Sequence, residues 1–319
     1  MSATPVIRVE RLTRSYGAVV ALNDISLEIS GGVVGLLGPN GAGKSTLLRT
    51  LTGELRPGLG AVTVLGTTPF ANPDLYARIG ICPEQDALFE DMTARGFVSF
   101  LLRLRGFESG AARERADAWL ERMGLTAARD RGLRGFSKGM RQRTKLITAF
   151  AHDPELVFLD EPMTGLDPLW RHHVQGLVRE RAAAGATVVF SSHVLREVEQ
   201  VTREVVLLNR GRVAAQGNSH EIRALIDRVP HRVELQSATP RRLAVLLAGW
   251  DCVESVRIRA DGVDVTTPRP DRFYALLTAA CVDDDLGVEA VGSPDDGLQA
   301  LFDTLVDVRP ERVRRRQAS

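Results

Sequence analysis

Short apolar runs and amphipathic stretches alternate over the first 220 residues of the chain. Residues 33–37, 156–159 and 187–190 are apolar at nearly every position, which is typical of parallel strands buried on both faces. Residues 25–29 instead alternate between apolar and polar side chains, so they predict a half-buried strand. The same alternation at 62–64 predicts an antiparallel edge strand.

Between these runs, apolar residues recur at the three- and four-residue spacing of helices. The helical pattern covers residues 45–51, 93–105, 111–123, 139–151 and 169–183. Because consecutive parallel strands are joined by crossover helices, this alternation predicts an α/β fold.

A different order of elements follows residue 219. After a short helix at 220–227, the pattern predicts strands at 232–236, 253–259, 263–267 and 288–291 and helices at 240–248, 271–280 and 295–306. The β-α-β-β-α-β order is typical of a small ferredoxin-like α+β domain. We therefore expect a first domain at 1–219, an accessory α+β domain at 220–309 and a basic tail at 310–319.

Arginines dominate the tail, where Glu311 is the one acid. Such a charge run favours a solvated, disordered end. The alternative is that the tail binds anionic lipid headgroups electrostatically at a cytoplasmic membrane face.

The charge of the whole chain is balanced. Its 319 residues include 41 lysines and arginines against 40 acids, for a formal net charge of +1. That balance argues against a protein that coats nucleic acid, because phosphate neutralisation favours a clearly basic surface. No apolar run approaches the roughly 18 residues that span a bilayer, and no signal-peptide pattern precedes the first strand. The three cysteines are far apart and form no CxxC pair, so we expect a protein of a reducing compartment without a disulfide framework or zinc site.

The strongest motif directly follows the apolar run at 33–37. It matches the phosphate-binding pattern G-x-x-x-x-G-K-[ST] and consists of Gly38, Pro39, Asn40, Gly41, Ala42, Gly43, Lys44, Ser45 and Thr46. Glycines let successive N–H groups turn inward around phosphates, and the following helix N-terminus adds a partial positive charge. Lys44 would reach the β- and γ-phosphates of a bound nucleotide, and the Ser45 hydroxyl would ligate Mg²⁺.

Two carboxylates, Asp160 and Glu161, end the apolar run at 156–159. The carboxyl end of a parallel strand is where ligands of such sheets bind. We expect Asp160 to hold Mg²⁺ through its water shell and Glu161 to act as general base on the attacking water. The structural alternative is a pair of solvated acids at a strand end.

The order and spacing of these motifs resemble the ATP-binding-cassette (ABC) ATPases over roughly residues 5–217. The resemblance implies a P-loop NTPase core with a mixed sheet, an antiparallel edge and a helical subdomain at about 86–148. It also implies that Tyr16 stacks on adenine and that Gln85 contacts Mg²⁺ or the attacking water. An aromatic residue suffices at the first position, because stacking needs only a flat π-face.

Further motifs extend the resemblance along the chain. The segment 136–143 is similar to the signature loop of the family, and 164–168 is similar to its D-loop. The resemblance implies that Ser137 and Gly139 offer a hydroxyl and an N–H to an ATP γ-phosphate. It further implies that His193 is the switch histidine that stabilises the reacting phosphate.

The signature loop departs from the usual L-S-G-G-Q, because Lys138 replaces the first glycine and Met140 replaces the glutamine. The S-K-G-M sequence resembles ATPase subunits that serve separate ABC-2-type exporter permeases, and we interpret Lys138 as an added positive charge near the phosphates. The alternative is a degraded, inactive site.

The resemblance also implies the partners. ATP and Mg²⁺ are the expected cofactors, and two copies are expected to close head-to-tail over two ATP molecules. A separate transmembrane permease would hold the chain at the cytoplasmic face of the membrane, with no nucleic-acid partner and no contact to the transported molecule. The region 231–309 extends the resemblance to daunorubicin-resistance-type exporter ATPases.

Two alternative function classes remain open. One is a soluble ABC ATPase that acts on the ribosome or DNA, although this chain has one cassette and no heptad insertion. The other is a scaffold that binds ATP without hydrolysing it.

Overall fold

The computed structural model describes residues 5–218, 231–283 and 287–292. The chain divides into two compact units after Asn218. The helices predicted at 220–227 and 295–306 and the tail at 310–319 lie outside the described residues.

A six-stranded sheet forms the centre of the first unit. The strands of this unit are β1 (Ile7–Tyr16), β2 (Val19–Ile29), β3 (Val33–Leu37), β4 (Leu59–Val64), β5 (Ile79–Cys82), β6 (Leu156–Leu159), β7 (Thr187–Ser192), β8 (Glu204–Asn209) and β9 (Arg212–Asn218). The order in the central sheet is β5-β6-β7-β3-β8-β9, with parallel pairing except between β8 and β9. This mixed sheet confirms the α/β prediction.

The helices of the first unit are α1 (Lys44–Leu51), α2 (Pro73–Arg78), α3 (Ala94–Leu104), α4 (Ser109–Arg122), α5 (Lys138–Phe150), α6 (Pro168–Ala183) and α7 (Leu195–Glu199). Each of the five predicted helices is present, with ends within two residues of the predicted ends. Thr93, Ser137 and Asp167 accept hydrogen bonds from backbone N–H groups three residues later, which fixes the starts of α3, α5 and α6. Helices α3, α4 and α5 pack on one another as the expected helical subdomain.

A three-stranded antiparallel sheet of order β2-β1-β4 forms a second layer. Strand β4 pairs only with β1 in this sheet, so residues 62–64 lie in an antiparallel edge strand as predicted. Apolar side chains from this sheet, from α1 and from the central sheet form one buried core, with Ile7, Leu47 and Phe158 as examples. The loop between β3 and α1 is thereby anchored at both ends in the core.

The second unit has its own sheet and core. Its elements are β10 (His231–Ser237), α8 (Pro240–Ala248), β11 (Ser255–Ile258), β12 (Gly262–Thr267), α9 (Pro270–Asp283) and β13 (Val288–Gly292). The sheet is antiparallel with order β11-β12-β10-β13, which is the ferredoxin-like arrangement that the sequence predicts. Val233, Leu247, Val265 and Phe273 are buried in its core. Within the ranges described for both units, no helix is long and apolar enough to cross a membrane.

Candidate nucleotide-binding site

The phosphate-loop motif forms the turn from β3 into α1, and two of its glycines have no room for a side chain. A Cβ at Gly38 would lie 2.6 Å from the carbonyl oxygen of Leu208. At Gly43 the backbone φ is +105°, and a Cβ would lie 2.7 Å from the carbonyl oxygen of Ala21. The motif therefore needs glycine at these two positions for a structural reason as well as a chemical one.

The loop is built to receive an anion. The Lys44 ammonium is buried and donates hydrogen bonds to the carbonyl oxygens of Gly38 (2.7 Å) and Pro39 (3.3 Å), so it lies inside the turn. No side chain caps α1, and its first turn contains no acid, so its leading N–H groups face the loop without a side-chain acceptor. A buried ammonium beside uncapped helix N–H groups fits the phosphates of a nucleotide.

These groups open into a cavity of about 400 Å³. It is lined by Val19, Val20, Ala21, Pro39, Asn40, Gly41, Ala42, Gly43, Lys44, Ser45, Thr46, Glu84, Asp160 and Glu161. The phosphate loop and the two predicted carboxylates thus line one cavity, at the carboxyl ends of β3 and β6.

Asp160 and Glu161 are held by a residue that sequence reasoning does not assign. The buried Ser191 hydroxyl, on β7, donates a hydrogen bond to Asp160 Oδ1 (2.5 Å) and accepts one from the Glu161 backbone N–H (2.9 Å). Glu161 has a φ of +49°, a conformation that costs a non-glycine residue about 1–2 kcal/mol. Ser191 therefore stabilises an unfavourable backbone conformation at the carboxylates.

The Glu161 carboxylate lies between the imidazole of His193 and the ammonium of Lys44. His193 Nδ1 lies 3.0 Å from Glu161 Oε2, and Lys44 Nζ lies 3.7 Å from Glu161 Oε1. Burial raises the pKa of Glu161 above its usual value, and the hydrogen bond with His193 and the charge of Lys44 partly offset that rise. A carboxylate of raised pKa is a better proton acceptor than an exposed one.

A second cavity, of about 490 Å³, contains the three predicted magnesium ligands. Ser45, Gln85 and Asp160 all line it. A hydroxyl, an amide oxygen and a carboxylate are the hard oxygen donors that suit Mg²⁺. Among the described residues, no group of three His, Cys, Asp or Glu side chains could hold a metal ion.

Five predicted site residues line neither cavity, but two of them, Gly38 and His193, directly contact Lys44 and Glu161, which line the phosphate-loop cavity. Tyr16 is exposed at the end of β1, opposite Val19, and Val19 lines the phosphate-loop cavity. Ser137 caps its own helix α5 by accepting from the Met140 N–H (3.3 Å), and Gly139 lines neither cavity. The structure therefore brings the phosphate loop, both acids, Gln85 and His193 together, but not Tyr16, Ser137 or Gly139.

Lys138 lies against the D-loop of its own chain. A Cβ on Gly165 would meet the Lys138 side chain at 2.8 to 3.1 Å, so the lysine stem lies across that glycine. The stem of Lys138 thus packs on the D-loop, and the added positive charge near the phosphates stays a prediction.

Comparisons with known proteins agree with this geometry. Residues 22–164 match the family described as ABC transporter. The chain is 36% identical to the daunorubicin/doxorubicin resistance ATP-binding protein DrrA of Streptomyces peucetius over 300 residues, which are 93% of this chain and 84% of that protein. It is 34% identical to the Nod factor export ATP-binding protein I of Ralstonia nicotianae over 224 residues, or 70% of each.

Solved structures of ABC transporter ATP-binding proteins are also similar to this chain. An ATP-binding subunit of an ABC transporter matches with a TM-score of 0.64 at 30% identity, covering 69% of this chain and 93% of that one. A bacterial ABC transporter cassette solved as a dimer matches in fold, with a TM-score of 0.62 at 24% identity, covering 66% of this chain and 98% of that one. The chain therefore belongs to the ABC transporter family, as an ATP-binding subunit of the type that hydrolyses ATP.

Proposed function

We propose that the chain hydrolyses ATP to power export of a small drug-like, antibiotic-like or lipid-like molecule through a separate membrane permease. The observation that carries the proposal is the buried Glu161, which contacts His193 and Lys44 beside the phosphate loop. The exporter assignment is supported by relatives named for daunorubicin resistance and Nod factor export. The first of them is similar over 93% of the chain, so that similarity includes most of the second unit.

The phosphate loop binds the nucleotide. Its backbone N–H groups and the Lys44 ammonium would hold the β- and γ-phosphates, and Lys44 would exchange its present carbonyl acceptors for phosphate oxygens. Tyr16 would offer its exposed ring to adenine beside Val19.

Ser45, Gln85 and Asp160 would hold the metal ion. When bound, Mg²⁺ neutralises phosphate charge in the reaction of ATP with water. Ser191 donates a hydrogen bond to Asp160 Oδ1, so the other carboxylate oxygen would be available to hold the ion or a water on it. The Ser45 hydroxyl approaches from the start of α1.

Glu161 and His193 carry the proton chemistry. Glu161 accepts a proton from the attacking water, and its burial keeps the carboxylate basic enough for that step. His193 holds Oε2 and thereby fixes the direction of the carboxylate. Lys44 balances the negative charge that Glu161 and the phosphates bring together.

A second copy of the chain would complete each site. Ser137 and Gly139 lie outside the cavities of their own subunit, so a head-to-tail pair would present them to the nucleotide of the other copy. Closure of that pair would exclude water from the reacting groups. A separate permease would keep the chain at the cytoplasmic face of the membrane.

Purification from membranes tests the exporter assignment. The tagged full-length chain is isolated from detergent-solubilised membranes of its source organism, with the phosphate-loop variant Lys44→Met as a matched control. We expect a membrane protein with about six spanning helices to co-purify with the chain in a stoichiometric ratio. Stoichiometric ribosomal proteins or DNA in its place would favour the soluble alternative and contradict the proposal.

A further inference from the structure

Lys145 is a buried lysine that the catalytic scheme above does not use. It lies on α5, and its side chain is 4% exposed. Its Nζ donates hydrogen bonds of 2.9 Å to the carbonyl oxygens of Pro83 and Glu84 and lies 3.5 Å from Asp86 Oδ1. A buried ammonium is costly unless every donor is satisfied, and here three donors face three acceptors.

All three acceptors belong to the segment 83–86, which follows β5 and carries Gln85. Gln85 itself is exposed, so its position depends on the backbone on either side of it. Just before this segment, the carbonyl oxygen of Cys82 accepts from the Asp160 N–H at 2.8 Å. The residue just before the segment is thus bonded to the backbone of Asp160, and the segment itself is bonded to α5 through Lys145.

A second cation from the same helix strengthens this attachment. Arg141 contacts Asp86 Oδ2 at 2.6 Å and Glu90 Oε1 at 3.1 Å. Asp86 thus contacts a different cation of α5 with each of its two carboxylate oxygens.

We propose that Lys145 is a positioning residue that sets the backbone of residues 83–86 and thereby aims Gln85 into the cavity shared with Ser45 and Asp160. This inference rests on the proposed function, in which Gln85 holds the metal ion or the attacking water. Because α5 begins at the signature loop, Lys145 also links that loop mechanically to the segment carrying Gln85.

The chemistry of the site explains why the residue is lysine. Three of the chain's 41 basic residues are lysines, so arginine is the usual cation of this protein. A guanidinium has five donors in a planar fork, whereas an ammonium directs three donors to separate acceptors. Two carbonyl oxygens and a carboxylate around one point charge match the ammonium.

The test measures backbone exchange and catalysis in the same variants. Lys145→Met removes the charge and all three donors. Lys145→Gln also removes the charge but can still donate two hydrogen bonds, so it serves if Lys145→Met fails to fold. Arg95→Met is the matched control, because Arg95 is a largely buried cation of the helical subdomain that pairs with Asp117 and Asp130 instead.

Hydrogen exchange is followed in the nucleotide-free, full-length protein. We expect the amides of residues 84–87 to exchange at least about threefold faster in both Lys145 variants and at the wild-type rate in the control. Catalysis is then compared at saturating ATP. We expect kcat to fall about tenfold and the Mg²⁺ concentration at half-maximal rate to rise, with ATP affinity within about twofold of wild type.

Two results would overturn the inference. One is wild-type exchange at residues 84–87 in a folded Lys145 variant. The other is faster exchange without any change in kcat or Mg²⁺ dependence. If the wild-type protein does not hydrolyse ATP, the proposed function fails, and the exchange result still reports on the contacts of Lys145 separately.

Discussion

The hydroxyl of Ser191 provides the sharpest test of how the two carboxylates are held. Replacing Ser191 with alanine removes one hydrogen bond to the Asp160 carboxylate and one from the Glu161 N–H. Hydrogen bonds to charged groups contribute about 1.5–3 kcal/mol, and a buried group left unsatisfied costs about 1–3 kcal/mol. We therefore expect the free energy of unfolding to fall by about 2.5–6 kcal/mol.

The neighbouring Ser192 is a matched control on the same strand. It is also buried, and its hydroxyl donates to Glu197 Oε2 (2.9 Å) and accepts from the Val194 N–H (3.0 Å). Ser192→Ala therefore loses a charged acceptor and a backbone donor, as Ser191→Ala does, but neither belongs to the site. The two variants should lose similar stability.

Only Ser191→Ala should lose turnover. A misplacement of about 1 Å at the reacting groups costs up to about 100-fold in rate, so we expect kcat to fall about 10- to 100-fold. Urea unfolding, ATP affinity and phosphate release are measured for both variants and for Ser191→Thr, which retains the hydroxyl and should recover most of the rate. Equal kcat values in Ser191→Ala and Ser192→Ala would refute the reasoning.

Three further predictions concern His193, Gly165 and Tyr16. The hydrogen bond with His193 lowers the pKa of Glu161, so His193→Ala should raise that pKa and move the acid limb of the kcat–pH profile to higher pH; an unmoved limb would contradict this assignment. Gly165 has a φ of +77° and touches Lys138, so Gly165→Ala should lower the free energy of unfolding by about 1–2 kcal/mol in urea, and adding Lys138→Ala should recover part of the loss. Tyr16→Ala should weaken ATP binding about 3- to 10-fold in calorimetric titrations, whereas Tyr16→Phe should bind like wild type because stacking needs only the ring.

Local sequence patterns were sufficient to predict the phosphate loop and the carboxylate pair. In both cases the residues that act together are neighbours in sequence and follow a recognisable apolar strand, β3 or β6. Helix ends were likewise predictable where a capping side chain marks the start, as at Thr93 and Asp167.

The residues that sequence reasoning missed act across the fold. Ser191 reaches Asp160 because β6 and β7 pair in parallel with Leu159 opposite Phe190, which places the next residues of both strands side by side. The Ser-Ser-His sequence before α7 was the available signal, but only lateral pairing shows which hydroxyl faces the acids. Lys145 contacts residues about 60 positions earlier in the chain, and no local sequence pattern predicts a contact between residues so far apart.

Phosphate release by the purified chain, compared with that of Glu161→Gln, tests the central claim most directly. Glutamine preserves the shape of the side chain and removes its ability to accept a proton. We predict that the wild type releases phosphate from ATP with Mg²⁺. The variant should bind ATP with similar affinity, form a stable ATP-bound dimer and turn over at least about 100-fold more slowly. A Glu161→Gln variant that releases phosphate at the wild-type rate would contradict the account.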